Sequence, residues 1–333
     1  MKFSIKVLVS LALLTSLKSY AVLDICIRSL VQIAQASTER FPTPGIENYR
    51  KLGTESEEKS HKGNIFEVVV VRRLSDSEIV AHRRPMDGAP MQDERWESLK
   101  HQDKVLKQIR KDHPRLAKVT PKTYGFKYNG TKKVWESEFI EGDSVLHKLK
   151  EIETNQSLSN ESKFKEALIL FRKTFEAYQT LHKTETLHMD AKGANSVLCP
   201  DGSVRIIDFA GAIYRPKKGK AIIPTTIHYE AEYIPPNIRP QSLGKKDLLN
   251  IPYNFDFYTL AKSFHKKIFL GLKIPDYLAY RKDPEKLRMI NFFKEYEEKI
   301  YNILTATDPE IRDHFDIKSL DALIESMHES GAP

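Results

Sequence analysis

"LHMDAKGANSVLCPDGSVRIIDFAGA", residues 187–212, decides how the rest of the chain is read. Asp190 follows His188 by two residues, Lys192 and Asn195 follow Asp190 by two and five, and Asp208 heads "DFAG". Between these groups "SVLCPDGSVRIID" has apolar runs on either side of Pro-Asp-Gly, the pattern of a hairpin. Such a hairpin sets the distance between two polar loops. Three loop residues that merely cap turns are the plainest alternative, and it leaves the joint spacing of Asp190, Asn195 and Asp208 without a reason.

The residue types point to a chemistry. A carboxylate in a loop after a long helix, as Asp190 is, can accept a proton from a hydroxyl nucleophile. Lys192 can point the same way and neutralise charge on a transferring phosphoryl group. Asn195 and Asp208, expected at loop edges, offer two oxygen donors of the hard kind that suits Mg2+ carrying substrate phosphates. Positioning and electrostatics, with little covalent work by the protein, are what phosphoryl transfer asks for.

Outward from this stretch, "FEVVVVRRLSDSEIVAHRRP" gives two β-rich runs around a polar turn. "DERWESLKHQDKVLKQIRK" spaces Trp96, Leu99, Val105, Leu106 and Ile109 as a helix does, and two strands follow near "YGFKYNG" and "KVWESEFI". A long helix is predicted from Phe164 to His182, with Ala167, Leu168, Phe171, Phe175, Tyr178 and Leu181 on one face. Beyond the quoted stretch the pattern is again mostly helical. A β-rich first part with one helix, joined at "EFIEGDS" to a helical second part, predicts an α+β chain with two lobes.

These motifs resemble the protein kinase family. "HMDAKGAN" is similar to its catalytic loop, H-R-D-L-x-x-x-N, and "DFA" to its D-F-G. A lysine two residues after the catalytic aspartate is the serine/threonine-kinase form. "VWESEFIEGDSVLHKL" resembles the segment joining kinase lobes, which puts Ser137 at the gatekeeper position and the backbone of Glu138 to Ile140 against the adenine. "EYIPPNI" resembles the A-P-E segment with Asn237 in place of its glutamate, and "DPEIR" supplies Arg312 where the family's pairing arginine falls. "NFDFYTLAKSF" resembles the helix whose aspartate, here Asp256, braces the catalytic loop. The resemblance spans residues 48–328 and implies a two-lobed kinase-like fold: a small β-rich N-lobe, about 48–137, and a larger, mainly α-helical C-lobe, about 142–328.

Departures cluster where the nucleotide is expected. The Gly-rich loop position, "KLGTESEEKSHKGNIFEV", holds only Gly53 and Gly63, so several backbone amides that cradle phosphates are missing or displaced. The V-A-I-K lysine falls on Arg83, two residues after Ala81; arginine holds a phosphate through a planar fork rather than a compact ammonium. A solvated strand end is an equally good reading of Arg83 and Arg84. The helix glutamate that should pair with this cation falls near Gln102 or Asp103, with Glu97 a turn and a half away, and the pattern does not choose between them.

The chain has 333 residues, 40% hydrophobic and 29% charged, which is ordinary for a globular protein. Its formal charge of +8 is scattered rather than blocked, a solvated basic surface with no nucleic-acid partner implied. "MKFSIK", the apolar "VLVSLALLTSL" and the small-residue end "SYA" form an export signal over residues 1–21, too short to span a bilayer. Cleavage after Ala21 removes three lysines and no acids, leaving 50 basic against 45 acidic residues and no stable membrane insertion. The mature chain is thus expected to be periplasmic or secreted, with residues 22–47 a helical extension. Cys26 and Cys199 either pair or stay as two separate thiols.

The expected activity is ATP-dependent phosphoryl transfer to Ser/Thr hydroxyls of a protein substrate. Asp190 is the base with Lys192 beside it, Asn195 and Asp208 hold Mg2+ or Mn2+, and Gly53, Gly63, Ala81, Arg83, Glu138 and Ile140 contact ATP. An exported pseudokinase that serves as a binding platform is one alternative. A kinase-like phosphotransferase acting on small molecules or lipopolysaccharide is another; such enzymes usually lack a lysine like Lys192 and a segment like "TTIHYEAEYIPPNI".

Overall fold

The computed structural model describes residues 49–55, 66–73, 75–85, 91–129, 132–225, 233–236, 238, 243–269 and 284–305. The signal segment 1–21, the extension 22–47 with Cys26, and Gly63, Thr226, Tyr229, Asn237 and Arg312 lie outside the described residues. The chain is mixed α and β, of the α+β kind, and divides into two compact units: residues 1–84 with 126–136, and residues 85–125 with 137–333.

The first unit is built on a five-stranded sheet. Its strands are β1 (Tyr49–Glu55), β2 (Phe66–Arg73), β3 (Ile79–Pro85), β4 (Thr123–Asn129) and β5 (Lys132–Glu138), in the order β1-β2-β3-β5-β4. The β-branched run Val68–Val71 favours the pleated, half-buried surface that β2 occupies. β1 and β2 are antiparallel, and their register shifts between Lys51 and Gly53. Glycine is common at such irregularities. β3 alternates: Val80 and His82 are buried, while Ala81 and Arg83 are half-buried. Arg73 Nη2 meets Glu136 Oε1 at 2.8 Å and His82 Nε2 lies 3.0 Å from Glu136 Oε2, so three strands share one fully buried carboxylate. A charge taken out of water needs such partners, and Arg73 and His82 are among those of Glu136.

Helices dominate the second unit: α1 (Gln92–Asp112), α2 (Val145–Thr154), α3 (Asn160–His182), α4 (Lys245–Leu249), α5 (Asn254–Phe269) and α6 (Pro284–Thr305). The predicted stripe on α3 is buried as read, and Phe171 and Phe175 meet Phe264 and Phe257 of α5 with ring centroids 4.9 Å and 4.1 Å apart. α3 begins four residues before Phe164, because Ser159 caps it by accepting the Ser162 N–H at 3.1 Å. Helix periodicity alone does not report that cap.

Short strands carry the loops of interest. β6 (Asp143–Ser144), β8 (Ser196–Leu198) and β9 (Val204–Ile206) form one sheet, in which β8 and β9 are the two arms of the predicted hairpin. β7 (Thr186–Leu187) pairs antiparallel with β10 (Ile213–Tyr214). Gly142 enters this sheet at φ 137, and a Cβ there would come within 2.2 Å of the Leu198 carbonyl oxygen. Only glycine fits that approach. Among the described residues, no helix is long and apolar enough to cross a membrane.

Candidate active site

The loop between β7 and β8 carries His188, Asp190, Lys192 and Asn195, and the loop after β9 carries Asp208 and Phe209. Buried Asp256 on α5 organises the first loop: its Oδ2 accepts the His188 N–H at 2.7 Å and its Oδ1 accepts the Met189 N–H at 2.8 Å. His182 Nε2, at the end of α3, lies 2.9 Å from the same Oδ2. Held this way, Met189 adopts φ 71, a left-handed conformation that a residue with a Cβ keeps only when its surroundings impose it.

His188 joins the two loops. Its Nε2 lies 3.0 Å from the Ile207 carbonyl oxygen, which can only accept, so the ring hydrogen sits on Nε2. Nδ1 is then the acceptor for the Asp190 N–H at 3.3 Å. The Ile207 N–H in turn donates to the Asn195 carbonyl at 2.9 Å, so Ile207, the residue preceding Asp208, is tied to the loop of Asp190 through both its N–H and its carbonyl. This ring is a brace, packed edge-on against Tyr178 and Phe209.

Asp190 is held by one oxygen. Asn195 Nδ2 donates to Asp190 Oδ2 at 2.8 Å and to its backbone carbonyl at 2.9 Å, while Lys192 Nζ lies 3.0 Å from the same Oδ2. No hydrogen bond engages Oδ1 among the described residues. Desolvation pushes the Asp190 carboxyl above the usual aspartate range, and the nearby Asp208 charge adds to this, while Lys192 pulls the other way. Asp208 is thus near enough to be felt electrostatically. It too is left-handed, at φ 65.

Asn195 was expected at a loop edge and is instead buried, 6% exposed, because its amide bridges the loop internally. That orientation turns Asn195 Oδ1 away from the Asp190 network and leaves it for another ligand. Oδ1 with the Asp208 carboxylate is a donor set that fits a hard cation whose other ligands are phosphate oxygens and water. Among the described residues, no cluster of three or more His, Cys, Asp or Glu could hold a metal by itself.

The other candidates are less concentrated. Gly53 lies in β1 and Ala81 and Arg83 in β3, with the Arg83 guanidinium 5.7 Å from the Phe66 ring centre. Glu138 spends its backbone N–H on the Lys122 carbonyl at 2.8 Å and its carboxylate on Arg205, at 2.6 and 2.8 Å. Arg205 and the Lys122 N–H hold that carboxyl below the usual range against the effect of burial. Ser137 and Ile140 beside it are buried.

Of the three helix candidates, Glu97 is exposed and pairs with Lys100 at 2.5 Å, and Asp103 takes Lys107 at 2.7 Å. Gln102 is the one directed at the site: its Oε1 accepts the Phe209 N–H at 2.6 Å. The sequence reading also missed His182 on Asp256 and the hydrogen bond of His101 with the Ala212 carbonyl at 2.7 Å. Nothing local marks either histidine.

No protein-family model matches this chain, and no curated protein does.

Proposed function

We propose that this chain is an exported, two-lobed, serine/threonine-type protein kinase that transfers the terminal phosphoryl group of ATP to a hydroxyl of a protein substrate. The observation that carries the reading is Asp190: Oδ2 is tied to Lys192 and Asn195, Oδ1 is left over, and Asp208 stands within electrostatic reach. In the reaction the acceptor oxygen bonds to the terminal phosphorus, the bond from that phosphorus to the ADP leaving oxygen breaks, and the hydroxyl proton passes to Asp190 Oδ1. Lys192 stabilises charge on the transferring group. Mg2+ or Mn2+ on Asn195 Oδ1 and Asp208 would neutralise phosphate charge. The test is incubation of the mature chain with labelled ATP and generic protein substrates, beside an Asp208→Asn control. Transfer that survives in the control sinks the assignment.

A second reading, a binding platform without catalysis, is favoured by one feature: the Gly-rich loop position has only Gly53 and Gly63, and Arg83 stands where the family has lysine. A thermal shift separates the two, since a ligand that binds only the folded state raises its melting temperature. Millimolar ATP with Mg2+ or Mn2+ stabilises a kinase and leaves a platform unmoved.

A further inference from the structure

Gln102 is a buried polar residue of α1 to which the proposed reaction gives no part. It is 1% exposed, and only its Oε1 is used, accepting the Phe209 N–H at 2.6 Å. An N–H can only donate, so the amide cannot be turned the other way. Nε2 is therefore left buried, with no hydrogen-bond partner among the described residues. A buried donor in that state costs stability, whereas an apolar side chain of the same length would remove that cost but leave the Phe209 N–H without its acceptor. With one buried donor paired and another left over, net stability alone does not explain this glutamine.

Its position does. The peptide it grips follows Asp208, whose φ of 65 is one that the surroundings must enforce. On the other side His188 and Asn195 hold the Ile207 peptide. Two more contacts from α1 reach the same segment: His101 Nε2 with the Ala212 carbonyl at 2.7 Å, and the Tyr214 hydroxyl donating to Asp112 Oδ2 at 2.5 Å. Burial pushes the His101 pKa down, so its ring meets that carbonyl as a neutral N–H donor. A glutamate at position 102 would accept the same Phe209 N–H but bring another negative charge close to Asp208. The amide supplies the acceptor without the charge.

We propose that Gln102 is a positioning residue of the site: its carbonyl oxygen fixes the Asp208–Phe209 peptide and thereby aims the Asp208 carboxylate beside Asp190. The claim about the metal site rests on the phosphoryl-transfer reading; the claim about the peptide does not. Two measurements on the full chain test it, with Gln102→Met and Gln102→Glu variants. The first is amide exchange at Phe209 without ligand. Exchange is expected to be faster in the Met variant, with Leu99 and Ile109 amides unchanged, and slow again in the Glu variant, which restores an acceptor. The second is Mn2+ and ATP affinity by electron paramagnetic resonance, well below the melting temperature. The Met variant is expected to bind about tenfold more weakly, the usual loss when a group orienting a metal ligand is removed.

Unchanged Phe209 exchange in the Met variant, or wild-type Mn2+ and ATP affinity in it, overturns the proposal. If the wild type itself binds no nucleotide, the phosphoryl-transfer reading fails, and Phe209 exchange still decides whether Gln102 sets the Asp208 peptide.

Discussion

Asp256 reaches back 68 residues to accept the His188 N–H at 2.7 Å, and its other oxygen accepts the Met189 N–H. The carboxylate is fully buried and shares His182 as a third partner, so its charge is compensated entirely by intramolecular donors. Asp256→Ala leaves two buried N–H groups and an imidazole without that acceptor. The expected loss of unfolding free energy is about 2–6 kcal/mol, from about 1–3 kcal/mol for each buried N–H left unpaired, read as a lower urea midpoint. An unchanged midpoint would mean that Asp256 does not hold the loop.

The loop spacing was legible in the sequence because it is local: His188 to Asn195 spans eight residues, and the hairpin to Asp208 announces itself through Pro-Asp-Gly. The helical stripe of α3 was legible for the same reason. Gln102 was not, because it is uncharged and its partner Phe209 lies 107 residues away. Glu97 and Asp103 attracted attention by charge, yet local partners on α1, Lys100 and Lys107, engage both. The start of α3 was misplaced because a serine cap marks it rather than an apolar residue. Local patterns survive without coordinates; contacts made across the fold do not.

Glu136 is expected to be among the most sensitive positions of the sheet. It is fully buried, with Arg73 at 2.8 Å and His82 at 3.0 Å, while Arg73 also meets Asp76 at 2.7 Å and Glu78 at 3.0 Å. Glu136→Ala removes the buried carboxylate that Arg73 and His82 share, at a cost of about 3–5 kcal/mol. Asp76→Ala, at the solvated end of the same cluster, is expected to cost far less than Glu136→Ala, because an exposed pair is screened by water. Parallel urea titrations rank the two. Equal losses would show that the cluster is not organised around Glu136.

Asp190 makes a prediction about pH. On the proposed reading Asp190 is the base and must be deprotonated to work, so the rate should climb with pH through its pKa, which burial raises above the ordinary value of about 3.9. Lys192, 3.0 Å from Oδ2, opposes that rise. Lys192→Met should therefore move the acid limb of the pH–rate profile to higher pH and lower the plateau. Asp190→Asn should cost transfer several powers of ten with nucleotide affinity almost unchanged. An acid limb that stays put in Lys192→Met would separate Lys192 from the base.

The last prediction concerns regulation. In many protein kinases an arginine before the catalytic aspartate reads a phosphate on the activation segment through charge-assisted hydrogen bonds. Here that residue is Met189, fully buried and without charge. The segment after Asp208 is held by other means. Ile213 and Tyr214 pair with Leu187 and Thr186, and Tyr214 and Ile222 exchange both backbone hydrogen bonds at 3.0 and 2.9 Å. Arg215, which follows Tyr214 in this segment, donates from Nη1 to the Leu249 and Ile251 carbonyls at 2.8 and 2.6 Å and lies over the Tyr253 ring. Its Nη1 is committed to these two backbone oxygens. Lys217, Lys218 and Lys220 beside it are exposed, and flexible ammonium groups are poor substitutes for a bidentate guanidinium. Activity should therefore not depend on phosphorylation of the segment. Phosphatase treatment of the wild type should leave the transfer rate unchanged, as should Thr225→Ala, Thr226→Ala and Tyr229→Phe. By contrast, Arg215→Met should lower the rate by loosening the hairpin. A drop of about tenfold on phosphatase treatment, reproduced by one of the three hydroxyl variants, would require a phosphate-binding partner and overturn the claim.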